Sequence, residues 1–188
     1  MRWIVILGRI AGAATPFGSV LLQARAELND AELQQRLRKL EDPISSLHPD
    51  VIEFSEKLYD AVSEINNWRV VPDEETLARY GRVMAILESQ GLIRGSHSSQ
   101  KRFHLGLWLD NPHYIMYMCA LFEDPDLMER LLSRVDSTPP KTWLRGAELA
   151  EEFALPLPVV RAVFQLYEAK SLGLLSKELG AVNYFARA

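Results

Sequence analysis

The chain has 188 residues, a formal net charge of −4, and 48% hydrophobic against 24% charged side chains. That balance suits one large folded domain or two small ones, and it excludes a disordered chain and a broadly basic nucleic-acid coat. A lone cysteine, Cys119, excludes an internal disulfide, and a chain of this length buries enough core to fold without one. Its expected role is packing as a small apolar side chain in a reducing cytoplasm.

The charge is unevenly spread. Residues 51–91 carry four basic and eight acidic side chains, whereas residues 92–104 carry Arg94, Lys101 and Arg102 and no acid. Residues 141–188 are nearly balanced, with six basic and five acidic groups. Positive charge therefore concentrates in one short segment.

Trp3 to Leu22 is apolar and rich in small residues. Arg9 divides it, leaving too short a run for a signal peptide, and Pro16 interrupts the uncharged stretch that follows, which is too short for a transmembrane helix. The favoured reading is an apolar helical arm buried in the protein's own core, in an oligomer or in a partner. Gly8 and Gly12 form a GxxxG match that permits close helix approach. Contact of residues 3–22 with a membrane is the competing idea. A helix is expected from near Ser19 to before Pro43, with Leu33, Leu37 and Leu40 at seam spacing and Pro43 ending it. Residues 3–40 thus offer a surface for a protein partner or a second copy.

Asp50 opens a helix expected to run to about Asn66, with Val51, Phe54, Leu58, Val62 and Ile65 on one face. A second helix follows Val71-Pro72-Asp73, with Asp73 at its cap, Leu77, Tyr80, Val83, Met84 and Leu87 inward, and Gly91 at the terminating position. Leu92-Ile93-Arg94 reads as a strand, residues 95–100 as a turn, and Lys101 to Leu109 as a strand. Its alternation puts Phe103, Leu105, Leu107 and Leu109 on one face and Arg102, His104 and Trp108 on the other. Asn111-Pro112 restarts helix, with Tyr114, Met118, Leu121 and Phe122 on its apolar face. Another helix spans about Pro125 to Val135, and Ser137-Thr138-Pro139-Pro140 is a linker.

The last block reads as strand (Trp143–Arg145), helix (Gly146–Phe153), turn (154–158), a helix closed by Leu172-Gly173, and a hairpin turning at Gly180. The run "ELAEEFALPLPVV", a helix, "GLL" and a hairpin resembles the winged-helix superfamily found among many bacterial transcription regulators. The resemblance covers about residues 140–188, with the helix near 125–135 as first core helix. A helix ending in "SQGLIRG" and feeding a hairpin resembles the same family, which makes residues 50–109 a degenerate second copy. The expected fold is mostly α with small β-hairpins (α+β): an arm at 1–49 followed by tandem winged-helix-like modules at 50–111 and 112–188.

The resemblance implies that each module's last helix enters the major groove of DNA and that its hairpin touches the backbone. In the first module Arg79 and Arg82 lie on that helix, and Arg94, Lys101, Arg102 and His104 on the hairpin. In the second, Arg161, Gln165 and Lys170 are the exposed helix positions and Lys177 belongs to the hairpin. The first set is the better phosphate footprint, because the second mixes its cations with Glu168 and Glu178.

No HExxH, CxxC, P-loop or GxSxG motif is present, and His48, His97, His104, His113 and Cys119 lack zinc spacing. Glu123, Asp124 and Asp126 read as caps of the helix at Pro125. A non-enzymatic, cytoplasmic binding protein without cofactor or metal is expected, with DNA as its partner. The alternatives are an assembly subunit docking other proteins and a membrane-anchored effector.

Overall fold

The computed structural model describes residues 44–96, 103–176 and 182–187. The expected apolar arm, the GxxxG match and the helix ending before Pro43 lie outside the described residues, as do the Gly180 turn, Lys101, Arg102 and Lys177. The chain divides into two compact units, Met1–Ile52 and Glu53–Ala188. The described part of the first holds a 3-10 turn, Ser45–Leu47, and the start of helix α1, Val51–Ile65. The second unit is α+β, with two small antiparallel three-stranded sheets.

After α1 come β1 (Arg69–Val70), α2 (Glu74–Ser89), β2 (Arg94–Gly95) and β3 (Leu107–Trp108). Asn66 ends α1 in the left-handed region at φ 52°, which asparagine tolerates. Asp73 caps α2 by accepting from the Thr76 N–H at 2.7 Å, and that bond holds its carboxyl below the usual range. Gly91 takes φ +67° just beyond the helix, the geometry a terminating glycine supplies. Tyr80, Val83, Met84 and Leu87 are buried, so the apolar stripe of α2 is core.

The strand leading into β3 is shorter than its alternation suggests. Phe103 has φ 66° and Gly106 φ 121°, so residues 103–106 form a turn. Phe103, Leu107 and Leu109 are buried, but Leu105 is 50% exposed. Gly106 breaks the period-two pattern before Leu105 can join the inner face.

Next come α3 (Pro112–Phe122) and α4 (Pro125–Asp136). Asn111 caps α3 from the N–H groups of His113 and Tyr114, and its amide donates to the Gly91 carbonyl. Every residue of α3 from Tyr114 to Ala120 is buried, so this helix is enclosed all round rather than amphipathic. Leu121, expected inward, is 41% exposed. Asp124 caps α4 through the Asp126 N–H, the capping role read from the acidic cluster.

The C-terminal block is β4 (Trp143–Arg145), α5 (Gly146–Phe153), α6 (Leu157–Ala169), β5 (Gly173–Leu175) and β6 (Asn183–Ala186). Ala154, at φ 50°, makes the turn between the two helices. Helix α6 stops at Ala169, three residues before the expected Leu172-Gly173. Lys170 leaves helical geometry and Ser171, at φ 61°, reverses the chain, which frees Gly173 to begin a strand. There Gly173 lies flat on the Tyr184 ring, in space a Cβ would fill.

The sheets share a plan. Each places its last strand in the middle, in the orders β1-β3-β2 and β4-β6-β5, antiparallel throughout. In the first, Val70, Leu107 and Gly95 align toward the core and Arg69, Trp108 and Arg94 align on the outer face. In the second, Leu144, Tyr184 and Leu175 form the inner row and Trp143, Phe185 and Leu174 the outer one. No described helix is long and apolar enough to cross a membrane.

Candidate nucleic-acid interface

Helix α2 presents Arg79 and Arg82 on its exposed side. Nη2 of Arg79 donates to Oε1 of Glu53 at 2.6 Å, and its guanidinium sits 5.1 Å from the Tyr80 ring centre. Both partners of that ion pair are about half exposed, so water screens it and Arg79 exchanges partners at low cost.

The outer face of the first sheet carries a cation–aromatic row. Trp108 on the central strand receives the guanidinium of Arg69 at 5.3 Å and that of Arg94 at 5.4 Å, one from each flanking strand. Each such contact is worth about 0.5–1 kcal/mol at an exposed site. The indole N–H donates to Ser96 Oγ, and Nη2 of Arg69 donates to the Leu105 carbonyl at 2.6 Å. Arg94 binds Asp110 with two N–H groups, at 2.8 and 2.5 Å, so part of its charge is neutralised within the protein. Arg69 carries no signal in the sequence because its strand is two residues long and shows no period; only the aligned register puts it beside Trp108. His104 is half-buried in the turn that precedes β3.

Helix α6, the groove helix expected in the C-terminal block, is enclosed. In α6, Pro158, Val159, Val160, Ala162, Val163, Phe164 and Leu166 are buried, and its main helical neighbour is α3. Arg161 and Gln165, expected on an open face, are half-buried instead. Arg161 lies 4.4 Å from the Trp68 ring centre. Burial lowers its pKa, while the neighbouring Asp110 opposes that shift. Among the described residues, Nη1 of Arg161 and Oε1 of Gln165 are buried without a hydrogen-bond partner. The first turn of α6 is tied back as well, because the Leu157 N–H donates to Asn66 Oδ1 at 2.7 Å. The α1–β1 connection, carrying Asn66 and Trp68, thus covers the face the sequence assigned to a groove. Lys170 is exposed at the end of the helix. The arrangement therefore puts Arg79 and Arg82 on one helix and Arg94 on the strand that follows it, while Arg161 neighbours Asp110, the ion-pair partner of Arg94, but is half-buried against Trp68.

One buried cluster combines reactive residue types. Tyr59 donates to Glu123 Oε1 at 3.0 Å, and desolvation first, then Cys119 and Glu123 beside it, raise its pKa. Burial pushes the Cys119 thiol up to about 12, chemically quiescent at neutral pH. Ser55 and Tyr114 satisfy one another at 2.8 Å in the core. Among the described residues no three His, Cys, Asp or Glu side chains gather in a metal-binding group. No family model, curated protein or solved structure matches the chain.

Proposed function

We propose that the chain is a non-enzymatic protein of two winged-helix modules that binds duplex DNA through the first of them, in a reducing cytoplasm. The second module has the element order α4-β4-α5-α6-β5-β6, with the last strand central. The first repeats the sheet order with one helix fewer, because only residues 71–73 separate β1 from α2. The observation that carries the reading is the difference between the two helices a groove would receive. Helix α2 is open on its Arg79 and Arg82 side, whereas α6 is enclosed by α3 and Trp68.

Arg82 and Arg79 supply phosphate contacts from the helix. Arg94, with Lys101 and Arg102 following it in sequence, supplies them from the hairpin, and Ser96 adds a neutral hydrogen bond. The second module serves as the scaffold that closes the core. The protein's overall acidity works against general attraction to nucleic acid and leaves the binding to these few cations.

The test is binding to random duplex DNA across a salt series. The variant with Arg94, Lys101 and Arg102 all changed to alanine should bind more weakly on every sequence. Its log–log salt slope should flatten by about 0.9 for each phosphate that the variant no longer neutralises. An unchanged slope, or a pull-down partner that is protein and survives nuclease treatment, contradicts the proposal.

A further inference from the structure

We infer that the outer face of the second sheet is a second binding site, for single-stranded nucleic acid. The inference stands apart from the duplex reading, because it uses other residues and another chemistry. Trp143 on β4 and Phe185 on β6 are cross-strand partners with ring centres 5.1 Å apart, tilted by 49°. Leu174 on β5 is the other cross-strand partner of Phe185. Trp143 is 56% exposed and Leu174 41%. Phe185 between them is half-buried, so the three side chains form a partly open apolar row, a candidate binding surface.

The charge around this row selects the ligand. Arg145 follows Trp143 by two residues on the same face of β4, about 7 Å along the strand. At the opposite end stand exposed Lys141 and Arg187, tied to the sheet by Lys141 N–H to the Ala186 carbonyl and Arg187 N–H to the Leu172 carbonyl. Among the described residues, the carboxylate bonded to these cations is Glu148, which reaches Arg145 from α5 at 3.1 Å with both groups well exposed. Glu148 neutralises part of the Arg145 charge, so the positive charge beside the row lies mainly with Lys141 and Arg187, and it favours a polyanion. Asn183 sits on the same face of β6, opposite Arg145, and brings an amide able to donate to and accept from a base edge. Stacking rings, cations at either end and a nearby amide together describe a ligand with exposed π-faces, regularly spaced phosphates and open base edges. A duplex keeps its base faces inside the stack, so the ligand is a single strand.

The experiment uses the full chain and a fluorescein-labelled oligo(dT) of about 16 nucleotides, the upper end of site sizes for a single OB fold, read by anisotropy. Binding should weaken with salt at about 0.7 per phosphate neutralised. Trp143→Ala with Phe185→Ala should lower affinity by about tenfold or more, and Trp143→Phe should retain most of it. The exposed charge reversal Lys141→Glu with Arg187→Glu should abolish binding while leaving the circular dichroism spectrum unchanged. Arg79→Ala with Arg82→Ala, which tests the duplex site, should leave oligo(dT) binding intact. Absence of oligo(dT) binding at low salt overturns the inference, as does binding indifferent to the Trp143 and Phe185 changes. It is equally overturned if the charge reversal removes binding to phosphatidylserine vesicles or poly-glutamate but not to oligo(dT).

Discussion

The two sheets share strand order, direction and the central position of the last strand, and they differ in what they turn outward. The first shows Arg69, Trp108 and Arg94, a ring held between two guanidinium groups. The second shows Trp143, Phe185 and Leu174, an apolar row with cations only at its ends. Their inner rows are built alike, from Val70 and Leu107 in one and Leu144 and Tyr184 in the other. Architecture is therefore fixed by the inward-facing half of each strand, and the outward half is available to diverge. The helices diverge in the same way. The polar side of α2 stays open, whereas α6 is sealed by the α1–β1 connection and α3.

The largest effect should separate inner from outer rows. Leu107 is fully buried, so Leu107→Ala should cost about 2–5 kcal/mol, read by denaturant unfolding. Trp108→Ala, one residue on, should cost about 1–2 kcal/mol, the worth of two exposed cation–π contacts. Equal losses would mean that the outer row also carries the fold.

A smaller effect tests how tightly the second inner row is closed. A Cβ at Gly173 meets the Tyr184 ring and one at Gly146 meets Val182, so Gly173→Ala should cost about 1–3 kcal/mol through overpacking. Gly81, with open space around its Cβ position, is the control: Gly81→Ala should stabilise α2 by up to about 1 kcal/mol. The smallest stability effect belongs to Asp110→Asn. Its ion pair with Arg94 is exposed and worth about 1 kcal/mol or less, and its charge also faces the half-buried Arg161, whose compensation the change removes too. The same change releases the Arg94 charge, so under the proposed duplex binding affinity should rise even as stability falls slightly. A fall in affinity would mean that Arg94 works only when held by Asp110.

Much of this organisation is legible in the chain because it rests on local chemistry. Asp73, Asn111 and Asp124 each announce a helix start, Gly91 a stop, and the buried stripe of α2 follows a 3.6-residue period. Trp143–Arg145 and Gly146–Phe153 occupy their expected bounds. The rest is decided by tertiary contact. Nothing near Arg161 in sequence reveals that Trp68 will cover it, so an amphipathic helix with a charged residue reads as open. Leu105 satisfies a period-two pattern that Gly106 breaks. Arg69 belongs to a strand too short for any periodicity, and its place beside Trp108 comes only from register. The outer row of the second sheet is invisible in the sequence for the same reason, since its members come from three separate strands.

The contrast between an open α2 and an enclosed α6 is tested most directly by thiol accessibility. The native Cys119 is buried and its thiol is held at about 12, so it contributes little background. Arg82→Cys and Gln165→Cys are labelled separately with a maleimide, with and without duplex DNA. The exposure of the two positions predicts fast labelling at 82 and slow labelling at 165, and the proposed duplex binding adds that duplex suppresses the first and leaves the second unchanged. Fast labelling at 165 that duplex suppresses, with no protection at 82, would contradict it and return the groove-binding role to α6.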